Sequence, residues 1–400
     1  MPSVPVLVLN SGSSSIKFSL YNAGPTEREK LFEGAVDGIG TELGKFWIKD
    51  TTGNKLRDES PALPSAAVAF KLVADALSTP PFPYPAAIGH RMVNGGPNLT
   101  VHQRITPALI DEMASFTAFA PLHTPIATYI MRQALELFPG LPNFVCFDTA
   151  FHRTMPEVAQ RFAIPEKYWR EGIRRFGFHG ISYESIIAAL EQEHAVPEKL
   201  IVAHLGNGAS ITAIRNGRCI DTSMGLTPCG GVVSGTRTGD IDPSVLIYIL
   251  REIAKTMPDT KSAADQLEVI ANKQSGLLGV SELTNDMRGV RDAIKEGNEQ
   301  AAMATEVFTR TAKKFIGSYI AILGGLDMLV FTGGIGENDI ASRKEICAGL
   351  ETFGINVDAE RNNVRGNTIL SPENSPVTVR VIPPAEDLMI TNHVYRLLHS

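Results

Sequence analysis

Val6-Leu-Val-Leu-Asn-Ser-Gly-Ser-Ser-Ser-Ile-Lys-Phe-Ser-Leu20 places two apolar, strand-like runs on either side of a short stretch of small and polar residues. A hairpin needs only a tight turn, yet this one carries Gly12 and the serines at 11, 13, 14 and 15. The stretch lacks the proline and charge of a linker, and both flanks alternate or run apolar as strands do. It therefore predicts an ordered loop rich in N–H and O–H donors, followed by Lys17. Such a loop suits a ligand of concentrated negative charge, phosphate above all.

The same grammar returns almost half the chain later in Leu200-Ile-Val-Ala-His-Leu-Gly-Asn-Gly-Ala-Ser-Ile-Thr-Ala-Ile214. An apolar strand, a glycine-rich turn and an alternating return strand, used twice, point to duplicated halves. The 400 residues, 44% of them hydrophobic, exceed one ordinary core and predict at least two domains. Lysine and arginine (37) are outnumbered by aspartate and glutamate (43), for a net charge of −6 without a basic run, which argues against nucleic acid or an anionic membrane as partner. No apolar stretch reaches the ~18 residues of a membrane span. Cys146, Cys219, Cys229 and Cys347 have no paired spacing for zinc or a disulfide framework, so a reducing cytoplasm is the expected location.

Further along, Thr124 and Pro125 read as the N-cap and first residue of a helix running to Phe138, and Phe144 to Phe147 as a buried strand ending on Asp148. Ligands of open α/β sheets gather at such strand ends. A helix is expected over 184–194 after Arg-Phe-Gly-Phe-His-Gly180, and another from about Glu299 to Leu323 that stops at Gly324-Gly325. Strand Met328 to Thr332 then leads into Gly333-Gly-Ile-Gly-Glu-Asn338. None of the glycine loops has the spacing of a P-loop or of a dinucleotide-binding turn. Several together could still surround a polyphosphate with backbone amides.

Seven blocks carry a more specific signal: VLVLNSGSSSIKFSLY from Val6, GHRMVNGG from Gly89, FDTAFHRTMP from Phe147, RRFGFHGISY from Arg174, HLGNGASI from His204, SMGLTPCGGVVSGTRTGDIDP from Ser223 and FTGGIGEN from Phe331. In this order they resemble the acetate kinase family over nearly the whole chain. The resemblance implies an α/β fold of two duplicated ribonuclease H-like domains around an ATP cleft, as in actin-like ATPases, sugar kinases and heat-shock chaperones. It implies an N-terminal acid- and metal-binding domain of residues 1–150 plus 385–400, closed by the C-terminal helix, and a nucleotide-binding domain over 151–384. It further implies ATP/ADP and acetate as substrates, Mg²⁺ (with Mn²⁺ as alternative) as cofactor, and a homodimer.

By that resemblance Asn10 and Glu386 hold the metal, although the run Pro-Ala-Glu-Asp-Leu388 departs from the family's usual Asn-Glu-Glu-Leu and makes Glu386 the less secure of the two. Ser11, Gly12, Ser13 and Lys17 line the phosphate path. His204, Leu205, Gly206, Asn207 and Gly208 form a second phosphate loop; Asp286, Met287 and Arg288, with Gly334, Ile335, Gly336, Glu337 and Asn338, bind the nucleotide. Arg91 grips the acid's carboxylate, in a pocket walled by Val93, Leu122, Phe178 and Pro228 with His123 nearby. Asp148, His179 and Arg237 surround the transferring phosphoryl group.

These residue types fit the chemistry in their own right. A carboxylic acid is ionised at pH 7, so no general base is needed. The barrier is the meeting of like charges, which cationic donors and a metal lower. Asp148 accordingly reads as an orienter of a cationic neighbour or of the metal's water shell. Ordinary roles compete for each residue: surface ion pairs for the arginines, a packed ring for His179, a turn cap for Asp148. His102, His194, His393 and His399 lack metal-ligand spacing and read as surface or packing residues, and Arg28-Glu-Lys-Leu-Phe-Glu-Gly-Ala-Val-Asp-Gly38 as a solvated charged edge. The rival functions are a propionate or other short-chain acid kinase and, more remotely, an actin-like ATPase that is not a kinase.

Overall fold

Each of the two glycine-turn hairpins seeds a β-sheet. In the computed structural model, which describes residues 3–12, 14–120 and 123–400, β1 (Val4–Ser11) pairs antiparallel with β2 (Ser15–Ala23) in a register that sets Asn10 opposite Lys17. β3 (Arg28–Asp37), β4 (Lys45–Asp50) and β5 (Lys55–Glu59) extend this meander; on the other side of β1, β6 (Ala87–Met92) and β8 (Asn143–Phe147) run parallel to it, and the short β7 (Gln103–Arg104) closes the edge. The strand order is β5-β4-β3-β2-β1-β6-β8-β7.

β1 is apolar without alternation because it is buried on both faces. Leu7 and Leu9 pack with Phe70, Val73, Ile130 and Ala134 from the helices Ala66–Leu77 and Thr124–Leu137. The C-terminal helix, Glu386–Leu398, lies over β6. There a Cβ on Gly89 would stand 2.6 Å from Ile390 Cγ2 and 2.7 Å from Val394 Cγ2, so only glycine lets the helix come this close.

The second sheet repeats the pattern with β9 (Lys199–Leu205), β10 (Ala209–Arg215), β11 (Arg218–Thr222), β12 (Met328–Thr332), β13 (Thr368–Ile369) and β14 (Thr378–Val381), in the order β11-β10-β9-β12-β14-β13. Its first five strands match β3-β2-β1-β6-β8 in order and in direction: an antiparallel meander of three followed by two parallel neighbours. The helix Glu299–Leu323 buries Phe308, Ala312, Ile316, Tyr319 and Leu323 against this sheet, at the three- and four-residue spacing of one helical face. Gly324, at φ 66°, ends it in the left-handed conformation that glycine tolerates best. The chain divides into two compact units, one of residues 1–151, 180–185 and 385–400, the other of residues 152–179 and 186–384. Among the described residues no helix is long and apolar enough to cross a membrane.

Four local expectations need correction. The helix placed at 184–194 spans Gly180–Gln192, because the Gly180 N–H donates to the Asp148 carbonyl at 2.9 Å and starts the helix a turn earlier. Thr124 is already helical, its N–H bonded to the Ala120 carbonyl, so His123 takes the N-cap position without a side-chain cap bond. Gly333–Asn338 is a short helix rather than an open loop. Finally, the charged run from Arg28 is the inner strand β3, where a Cβ on Gly34 would collide with Phe18 and with the Trp47 carbonyl.

Candidate active site

In the first unit, β1, β6 and β8 are adjacent and parallel, and Asn10, Arg91 and Asp148 stand at their carboxyl ends. Arg91 meets the buried Asp148 carboxylate edge-on: Nε donates to both oxygens at 3.1 Å and Nη2 to Oδ2 at 2.6 Å. This two-nitrogen geometry is the strong form of an arginine–carboxylate bond. Among the described residues Arg91 Nη1 makes only long contacts, 3.4 Å to Asn10 Oδ1 and 3.7 Å to Glu386 Oε2. Burial alone would weaken the guanidinium's hold on its proton, but Asp148 and Glu386 more than offset this and raise its pKa above the ordinary value.

One positive charge thus stands among two carboxylates, and the oxygens of Asn10 and Glu386 converge on a single guanidinium nitrogen. That is a hard, oxygen-rich and net negative donor set, which fits a magnesium-sized cation that also takes ligands from a phosphate. Lys17 is exposed on β2, paired in register with Asn10, while Ser11 ends β1 and Gly12 follows it. Cross-strand partners share a face, so Lys17 and Asn10 address the same side of the sheet. Val93 follows β6 half-buried, and His123 is half-buried at the head of its helix. Ser13 and Leu122 lie outside the described residues.

The second unit gathers its own cluster around the β9–β10 turn. His179 holds φ 58°, a strained conformation for a residue with a side chain. Its Nδ1 bonds Ser210 Oγ at 2.8 Å, and its ring stacks on His204 with centres 4.1 Å apart. Gly208 is the floor: a Cβ there would stand 3.3 Å from both His179 Nε2 and Arg237 Nη1. Arg237 donates from Nη1 to the Pro228 carbonyl at 3.3 Å. Burial lowers its pKa, and only the Cys229 thiol works the other way, so among the described residues no carboxylate answers this cation. Phe178 is buried, its carbonyl bonded to His152 Nε2 at 2.9 Å.

Beside Gly206 and Asn207, a cavity of about 820 Å³ is lined by Asp286, Met287, Arg288, Gly334, Ile335 and Asn338, all singled out from the sequence. Its size lies within the range of small-molecule sites. It also draws on residues that sequence reasoning missed: Asn285, Arg291, Asp339 and Arg365. Asn285 Nδ2 donates to Asn207 Oδ1 at 2.9 Å, and its position just before Asp286 was the available signal. Leu205 and Gly336 are buried in support, and Glu337 is half-buried with its pKa raised by that burial. His102 and His393, read as surface or packing residues, meet Glu184 in a cluster of their own in the first unit.

Residues 5–392 match the model of the acetokinase family. The chain belongs to the acetokinase family. Acetate kinase of Phocaeicola vulgatus is 38% identical across 99% of this chain and 100% of its own length, and acetate kinase of Streptomyces avermitilis is 42% identical across 98% and 97%. The crystal structure of Porphyromonas gingivalis acetate kinase superposes with a TM-score of 0.87 at 36% identity, covering 99% of this chain and 100% of that one. That of a propionate kinase from Francisella tularensis does so with 0.90 at 37%, with the same coverage. This acetokinase-family chain therefore has the two-domain, actin-like ATPase fold of those kinases, and it is a transferase of the kind that phosphorylates a carboxylate.

Proposed function

We propose that the chain catalyses the reversible transfer of the γ-phosphoryl group of ATP to acetate, giving acetyl phosphate and ADP. The observation that carries this reading is Arg237, half-buried, with no carboxylate against it among the described residues and set beside His179 at the glycine floor. A partly desolvated cation without a carboxylate partner, next to a second donor, is what a phosphoryl group in transfer requires.

The roles divide between the units. The first holds the acid and the metal, with Asn10 and Glu386 as the metal's protein ligands; in the second, the nucleotide occupies the cavity at Gly206 and Gly334. Mg²⁺, or Mn²⁺ in its place, supplies charge neutralisation on the phosphates. Asp148 fixes the plane of the Arg91 guanidinium through Nε and Nη2. Of the five N–H donors of an arginine, those on Nη1 are committed only at long range, which leaves them for the acid's carboxylate. The wall of the acid's methyl group is assigned by the family resemblance alone, to Val93, Leu122, Phe178 and Pro228 with His123. His179 and Arg237 meet the equatorial oxygens of the phosphoryl group, and His179 is held for this by Ser210 and His204. No residue need take a proton from the acid, since it is already ionised. The setting is cytoplasmic, and the active species is a homodimer.

A second reading, propionate kinase, is favoured by the likeness to the Francisella tularensis propionate kinase. A pocket residue the size of Val93 tilts toward the two-carbon acid, although one methylene is worth only ~1–3 kcal/mol of discrimination. Hydroxylamine trapping of acyl phosphate from acetate, propionate and butyrate, set against ADP release without acid, tests the proposal: acid-dependent acetyl phosphate is expected, and ATP hydrolysis indifferent to acid would overturn it.

A further inference from the structure

Three half-buried side chains that the proposed reaction does not use meet in the first unit. Glu184 Oε2 lies 2.7 Å from His393 Nε2, Glu184 Oε1 lies 3.6 Å from His102 Nε2, and the two imidazole centres are 4.0 Å apart. Their ligand atoms all fall within 4.8 Å of one another, close enough for a metal ion. The protonation of His102 points elsewhere. Its Nδ1 accepts the Phe147 N–H at 3.1 Å, so the proton of the neutral ring is on Nε2, where it faces Glu184. A ring held in that tautomer offers the carboxylate a donor and offers a metal no lone pair.

The three residues belong to elements that each present part of the site. His102 is bonded to Phe147, the residue before Asp148. Glu184 is in the helix Gly180–Gln192, whose first N–H bonds the Asp148 carbonyl at 2.9 Å. His393 is two turns beyond Glu386 on the C-terminal helix, on the same face, and the residues over Gly89, Ile390 and Val394, flank it along the helix. Burial works to raise the pKa of Glu184, yet the two imidazoles, His102 and the hydrogen-bonded His393, bring it down to about 2. Burial lowers that of His393 against the pull of Glu184, so its ring is neutral at pH 7 and donates.

We infer that His102, Glu184 and His393 are positioning residues, a triad in which His393 hydrogen-bonds Glu184 and His102 faces it across 3.6 Å, and that it seats the C-terminal helix against β8 so that Glu386 and Asp148 flank Arg91 in fixed geometry. The inference rests on the proposed site for its kinetic consequence. Supporting partners of this kind typically govern ten- to hundredfold in metal affinity or rate.

The test uses the full-length protein with ADP and Mn²⁺ as probe. Glu184→Gln is expected to weaken Mn²⁺ binding, read by electron paramagnetic resonance, by about tenfold or more, with a fall of similar size in kcat/KM for acetate. His393→Gln, which keeps a donor toward Glu184, should stay near wild type, whereas His393→Leu should resemble Glu184→Gln and serves in its place should that variant not fold. Nitrogen NMR of imidazole-labelled protein should find the His102 proton on Nε2. Unchanged Mn²⁺ affinity in both Glu184→Gln and His393→Leu, a His102 proton on Nδ1, or a tightly held ion lost with Glu184 would each overturn the triad. The Mn²⁺ and NMR arms decide it whether or not acetate is the acceptor, and the acyl-phosphate assay alone decides the reaction.

Discussion

Asp148 holds Arg91 through two of its three guanidinium nitrogens, at 2.6 and 3.1 Å, while the third reaches Asn10 and Glu386 only at 3.4 and 3.7 Å. In the proposed reading the aspartate orients a cation rather than accepting a proton. Asp148→Asn keeps the shape but loses the charge, so Arg91 should lose its fixed plane. A fall in kcat/KM for acetate of about a hundredfold, on the order of 3 kcal/mol, is expected, since breaking one side of a buried ion pair is costly. Rates within about threefold of wild type in the hydroxylamine assay would remove Asp148 from the site.

Arg91 and Arg237 should fail differently. Arg91→Ala should mainly raise KM for acetate, because the carboxylate is gripped in the ground state and the transition state alike. Arg237→Ala should mainly lower kcat, because charge on the phosphoryl group changes during transfer. Each loss should amount to at least about a hundredfold, and lysine should rescue only in part, as an ammonium lacks the planar fork. Identical defects across both substrates would dissolve the separate roles.

Gly89 is one of the points where the C-terminal helix packs on the sheet. Gly89→Ala should destabilise the protein by ~1–3 kcal/mol, the usual cost of overpacking, and Val394→Ala in the same chain should restore part of the loss by removing Cγ2. Differential scanning calorimetry of the two variants and of wild type decides this. An unchanged melting temperature in Gly89→Ala would mean that the helix does not press on the sheet.

His90, on β6 beside Arg91, is buried with Nε2 bonded to Asn143 Oδ1 at 2.8 Å. Burial lowers its pKa from 6.5 to about 4, with Asn143 opposing only in part. The folded chain therefore binds this proton less readily than the unfolded chain does. The stability it confers is complete above pH 6.5 and declines as pH falls from 6.5 toward 4, by on the order of 3 kcal/mol. His90→Gln, which cannot titrate, should show a smaller loss of melting temperature between pH 7.5 and 4.5 than wild type. Parallel losses would assign the acid sensitivity to other groups.

Much of this was legible in the sequence because its causes are local. The Val6–Leu9 run, the glycine turns and the apolar spacing of Glu299–Leu323 each declare their element within a few residues. The charged strand β3 was not legible, since Glu29, Lys30 and Glu33 look solvated while the burial that makes it a strand falls on Gly34–Val36. Nor was the triad: Glu184 and His393 are 209 residues apart, and no spacing rule reaches across a sheet. Arg91 and Asp148 were found as separate motifs, but their bond spans 57 residues and needed the parallel pairing of β6 with β8.

The most direct test of the account is the product of turnover. With ATP, a divalent cation and acetate, ADP and acetyl phosphate should appear in equal amounts, and kcat/KM should fall from acetate to propionate to butyrate. ADP release at the same rate without any acid, and no trapped acyl phosphate with it, would contradict the assignment of Arg91 and Arg237 to the two partners of a phosphoryl transfer.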